Sequence, residues 1–133
     1  MIKGYKIIDY IVYPFNILVS FNMTEKELKD ILKHILPNDE KLDIEKLEFH
    51  EGTTVMFSTG QTVMNINNID YRTISHEIFH AVVMLMNRVD INLTDDSEEA
   101  FAYLIGYLTE EIFKFKKELE NKLYLNNNEN SKI

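Results

Sequence analysis

The chain opens with apolar positions crowded together. Residues 5–21 (YKIIDYIVYPFNILVSF) are rich in β-branched and aromatic side chains and are interrupted chiefly at Pro14-Phe15-Asn16. Such a run suits a pleated, half-buried surface and predicts one or two strands, the surer at 17–21. The period then changes. Leu28, Ile31, Leu32 and Ile35 recur at three- and four-residue steps, which places them on one face of a helix. Thr24 and Glu27 form a capping box at its head, and Pro37-Asn38-Asp39 stops it after Leu36. Residues 38–50 read as a polar connection with a short turn of helix or strand. Two β-like runs, 53–58 and 61–67, flank Thr59-Gly60, where glycine supplies the positive φ of a hairpin.

The second half is helical. Asp70 is a good N-cap for a long helix to about Arg88, and a polar loop at 90–96 leads to a second from about Ser97 to Lys122. Residues 125–133 are Asn-rich and aperiodic, so an unstructured tail is expected there. The order strand, helix, strands, helix, helix predicts an α+β fold in one domain over 1–124, with a small mixed sheet.

Composition narrows the function. At 133 residues and 45% hydrophobic, one core can form without staples, and the absence of cysteine excludes disulfides and thiolate metal sites. A net charge of -8 with no basic cluster argues against nucleic-acid binding. No run reaches the roughly 18 apolar residues of a membrane span. Asp9, Pro14 and Asn16 interrupt the N-terminal stretch, so it does not read as a signal peptide. A cytoplasmic protein is expected, and the sequons at Asn22 and Asn92 carry little weight.

The chemistry lies in Thr73-Ile74-Ser75-His76-Glu77-Ile78-Phe79-His80, an H-E-x-x-H sequence inside the first long helix. Four-residue spacing stacks both imidazoles on one face, where they can share a tetrahedral ion. Glu77 follows the first histidine, where it can take a proton from an attacking water. Ile74, Ile78, Ala81, Val82, Leu85 and Val89 form the apolar stripe of this helix. His76 and His80 fall off that stripe, against the alternative of two satisfied core histidines. Two imidazoles and a water leave a tetrahedral zinc site one protein ligand short. No histidine follows His80 and no cysteine exists, so a carboxylate must complete it, and Ser97-Glu98-Glu99-Ala100 opens the next helix. Glu98 borders the stripe of Phe101, Leu104, Ile105, Leu108, Ile112 and Leu119. Glu99 shares the opposite face with Ala102, Tyr103 and Gly106, small enough for another helix to approach. Glu99 is therefore favoured; the alternative for either is a first-turn carboxylate attracted by the helix dipole.

His76-Glu77-x-x-His80, then the eighteen residues 81–98, then Glu99, resembles the ligand spacing of the gluzincins, notably the alanyl-aminopeptidase type, with thermolysin-like enzymes similar. The segment TISHEIFHAVVMLMNRV…SEEAFAYLIGYL also looks like small zincin-like proteins of phages and their bacterial hosts. The resemblance covers residues 70–112. It implies a zincin-like fold with a backing helix, a metal helix and a glutamate helix. It further implies a zinc ion on His76, His80 and Glu99, Glu77 as general base, and a peptide or protein substrate. No Gly-Ala-Met-Glu-Asn-like strand supports an aminopeptidase, and Tyr103 stands where thermolysin-like enzymes place an aspartate.

Tyr103 and Tyr107 follow the glutamate by one and two turns and are candidates to stabilise an oxyanion, with packed core tyrosines as the plainer reading. His34 is expected on the solvated side of its helix. His50 is expected at the surface, though it could enter the cleft as an electrophile. The strand at 61–67, preceding the metal helix, is expected to pair with extended substrate. The expected function is zinc-dependent peptide hydrolysis, against a non-catalytic virion or partner-binding protein that keeps the metal site.

Overall fold

A computed structural model describes residues 1–131. Strands β1 (Gly4–Asp9) and β2 (Asn16–Phe21) come from the apolar opening run. Helix α1 (Glu25–Ile35) follows, with the Thr24–Glu27 capping box formed in both directions, at 3.1 and 3.2 Å. The polar connection holds one 3-10 turn (Asn38–Glu40) and the short helix α2 (Lys41–Glu45). Strands β3 (Gly52–Met56) and β4 (Thr62–Ile66) make the expected hairpin, with Gly60 at φ 92°. Helices α3 (Tyr71–Arg88) and α4 (Glu98–Ser131) complete the chain.

The four strands form one mixed sheet in the order β1-β2-β4-β3. β1 and β2 are antiparallel, β2 and β4 parallel, and β3 and β4 antiparallel. The parallel pair follows from the helical crossover α1–α2, since a hairpin cannot return a strand in the same direction. Side-chain alternation divides two cores between the faces of the sheet. Leu18 and Val63 pack with Leu28, Leu32, Leu36 and Ile44 on one face. Ile17, Val19, Phe21, Met64 and Ile66 pack with α3 and α4 on the other. The architecture is thus α+β in three layers: α1 with α2, the sheet, then α3 with α4. Among the described residues no helix is long and apolar enough to cross a membrane.

Three expectations change here. β4 is internal, paired by β2 on one side and β3 on the other, and all five of its residues are buried. Its main-chain groups are therefore spent, so it cannot pair with a substrate; the outer strand on this side of the sheet is β3. Next, α4 does not end at Lys122. It continues through Ser131, so the stretch 125–131, expected to be unstructured, extends the helix, while residues 132 and 133 of that expected tail lie outside the described residues. No side chain is buried between residues 120 and 130, so this extension stands clear of the core.

The third change concerns the faces of α4. Phe101, Leu104, Leu108, Ile112, Phe115 and Leu119 are its buried positions, whereas Ile105 is 37% exposed. The small face expected to receive another helix does not. Ala102, Tyr103 and Gly106 are exposed, and a side chain built at Gly106 would meet nothing within 4 Å.

Candidate functional site

Local chemistry builds the α3 side of the site. Asp70 caps the helix by accepting the Thr73 backbone N–H at 2.7 Å, and that bond is the main reason its carboxyl is held below the usual aspartate range. Ile74, Ile78, Ala81, Val82 and Leu85 are buried against the sheet, which turns His76 and His80 outward. Their Nε2 atoms come within 3.1 Å, and the rings meet edge to face with centroids 4.7 Å apart. The His76 side chain is 65% exposed.

Glu77 differs from both. It is only 5% exposed, and its Oε1 accepts the Thr54 hydroxyl at 2.7 Å. Its Oε2 lies 3.8 Å from His76 Nε2. A carboxylate this enclosed needs donors to offset its lost hydration, and Thr54 on β3 supplies one. The close approach of β3 to α3 depends on Gly52. A Cβ at that position would lie 2.8 Å from Thr73 Cγ2, 2.9 Å from Glu77 Cγ and 3.0 Å from Glu77 Oε2. Gly52 and Thr54 were missed in the sequence reading. A glycine at the head of a strand is a signal for close backbone approach, and here it marks the site.

His76, Glu77 and Thr73 form one wall of an open cleft of about 330 Å³, with Arg72 at the head of α3. The opposite wall is His50, Glu51 and Gly52. Hydrogen bonds from β4 and its outgoing loop fix that wall. Asn67 Nδ2 donates to the His50 carbonyl at 3.0 Å, and the Asn67 and Asn68 amides donate to the Glu51 carbonyl at 2.8 and 2.9 Å. Asn67 is held in turn by Asn65 Nδ2, and Asn65 Oδ1 accepts from the buried Ser20 hydroxyl at 2.7 Å. A polar chain thus runs from the sheet interior to the lip of the cleft, and it places His50 in the cleft as the sequence had only allowed.

Tyr71 of α3 stacks on Phe113 of α4 at 5.5 Å, so the helices meet on that flank. At about 100° per residue, His76 and His80 lie roughly 140–180° round α3 from Tyr71. Glu98 and Glu99 are both exposed at the start of α4. Among the described residues, no three histidine or carboxylate side chains come together in a group able to hold a metal. His76, His80 and Glu77 are nevertheless neighbours, at 3.1 and 3.8 Å, and among the described residues no hydrogen bond or ion pair joins Glu98 or Glu99 to them.

Tyr103 lines a different, apolar groove of about 430 Å³, with Tyr10, Val12 and Tyr107 among its neighbours. Tyr107 donates its hydroxyl to the Asp9 carbonyl, and burial followed by the nearby Glu111 and Asp9 carboxylates pushes that phenol up. His34 faces solvent with Nδ1 2.8 Å from the Asp30 carbonyl, as expected. No family model, curated protein or solved structure matches the chain.

Proposed function

We infer that this chain is a zinc-dependent peptide hydrolase of the zincin type, with His76 and His80 holding the ion and Glu77 as general base. The observation that carries the reading is one arrangement: two imidazole nitrogens 3.1 Å apart beside an enclosed carboxylate. Nitrogens about 2.0–2.1 Å from a tetrahedral ion lie roughly 3.3 Å from each other, so the pair already has nearly the spacing that zinc asks for. Bound there, zinc supplies Lewis acidity, which polarises a carbonyl and makes water easier to deprotonate.

The chain's own residues do the rest. Thr54 holds Glu77 Oε1, which leaves Oε2 on the His76 side to take a proton from water and return it to the leaving amine. β3, the outer strand beside the cleft, offers an unpaired edge to an extended peptide, and main-chain pairing would hold it with little side-chain selectivity. A third protein ligand would come either from Glu99 in the first turn of α4 or from one of His50 and Glu51 across the cleft. Tyr103 has no part in this site.

Among the described residues no three histidine or carboxylate side chains form a group able to hold a metal, which favours a second reading, a non-catalytic virion or partner-binding protein that keeps part of a zincin metal site. Metal analysis and a cleavage assay decide between them. The hydrolase reading expects about one zinc per chain, lost on dialysis in His76→Ala and His80→Ala, and cleavage of an unstructured protein by the zinc-loaded chain. Stoichiometric zinc surviving in the double variant sinks the assignment. Zinc held by His76 and His80 without cleavage of a broad peptide library supports the scaffold.

A further inference from the structure

The cleft beside His76 contains one permanent cation. Arg72 lines it, and among the described residues its guanidinium takes part in none of the ion pairs or side-chain hydrogen bonds. Its nearest acidic neighbour in sequence, Asp70, is hydrogen-bonded by the Thr73 amide and by Asn68 Nδ2 at 3.2 Å, and feels the Arg72 charge only as the last of the influences that hold its carboxyl down. Glu51 shares the cleft but forms no ion pair with Arg72. An arginine left unpaired in a cleft is a fork of donors shaped for a planar carboxylate.

Geometry says where that carboxylate would sit. Arg72 precedes His76 by four residues, one turn of α3, or about 6 Å along the axis. An extended peptide advances about 3.3 Å per residue, so the guanidinium lies about two residues from a bond positioned at His76 and Glu77. A peptide antiparallel to β3 runs from the Met56 end towards Gly52, and Arg72 lines the cleft around Gly52. We propose that Arg72 reads an acidic substrate side chain about two residues to the C-terminal side of the scissile bond. This rests on the hydrolase reading of the same site and makes the substrate class an acidic peptide.

The test uses the zinc-loaded full chain and peptides identical except for Glu, Gln or Lys at that position. The Glu peptide should be cleaved with kcat/KM about tenfold above the Gln peptide, the gain lying in KM. Arg72→Ala should erase the difference, and Arg72→Glu should turn the preference towards Lys. Equal rates for Glu and Gln peptides, or a Glu preference that survives Arg72→Ala, overturns the proposal while leaving the hydrolase reading intact. If no peptide is cleaved, the hydrolase reading fails, and Arg72 is judged by titrating the same labelled peptides against the chain. Tighter binding of the Glu peptide that is lost in Arg72→Ala upholds carboxylate recognition, and equal binding of all three overturns it.

Discussion

Helices α3 and α4 carry the two halves of one H-E-x-x-H…E pattern, and contacts within the site are seen for the α3 half. On α3 the residues that matter are one and four positions apart, so helical geometry puts His76 and His80 within side-chain reach, and their Nε2 atoms lie 3.1 Å apart. Between α3 and α4 no such rule operates. There the outcome depends on how each helix is rotated about its own axis, and that is set by which stripe each buries against the sheet. α3 buries Ile74, Ile78 and Leu85, and α4 buries Leu104, Leu108 and Ile112. Those two burials face Tyr71 towards Phe113 and leave the histidines on another flank. Spacing within a helix therefore fixes a geometry directly, whereas spacing across a loop leaves it to the packing of both helices.

The largest effect that would break this contrast belongs to Glu77. Glu77→Gln keeps the shape and an oxygen to accept from Thr54, and removes the base. Peptide cleavage should fall by about 10²–10⁴-fold with zinc content unchanged. A variant that cleaves at the wild-type rate would show that α3 does not carry the general base.

A smaller effect sharpens the role of the β3 wall. Gly52→Ala drives a methyl to within 3.0 Å of both Thr73 and Glu77, and two of those neighbours, Thr73 Cγ2 and Glu77 Cγ, sit near the backbone and cannot swing far. Overpacking of this kind costs about 1–3 kcal/mol, read as a lower midpoint in urea unfolding. The same substitution should slow cleavage, since it displaces Glu77. Unchanged stability would mean that β3 and α3 are not as closely opposed as described.

The smallest expected effect is the most pointed. If His50 or Glu51 supplies the third ligand, Glu99→Ala should change zinc affinity by less than about threefold, since Glu99 would then be neither a ligand nor one of the orienting groups whose loss costs about 10- to 100-fold. Isothermal titration of zinc into Glu98→Ala and Glu99→Ala variants measures it. A collapse of affinity in Glu99→Ala alone would show that the first turn of α4 supplies the third ligand, as the sequence spacing leads one to expect.

Much of the fold was legible residue by residue. Asp70 as cap and Arg88 as last helical residue coincide with α3, and Thr24 with Glu27 marks the head of α1. Gly60 marks the hairpin turn. These signals are local, because a cap, a stripe or a positive φ acts within a few residues of itself. The site was half legible. His76, Glu77 and His80 were read from spacing, whereas His50 was read as surface and Gly52 and Thr54 were not singled out. Nothing within the 38–56 segment says which helix its end will meet.

By itself, then, the order of residues determined most of the element types, the caps of α1 and α3 and the histidine pair, since each rests on backbone geometry within one turn or one hairpin. Tertiary structure decided what no local rule reaches. Sheet order placed β4 inside and β3 at the edge, so the strand beside Glu77 is not the one that precedes α3. Packing against the sheet set the rotation of α4 and took Tyr103 to a different groove. The reason is common to both. A hydrophobic stripe constrains which face of an element is buried, but the neighbour it is buried against is chosen by the whole core at once.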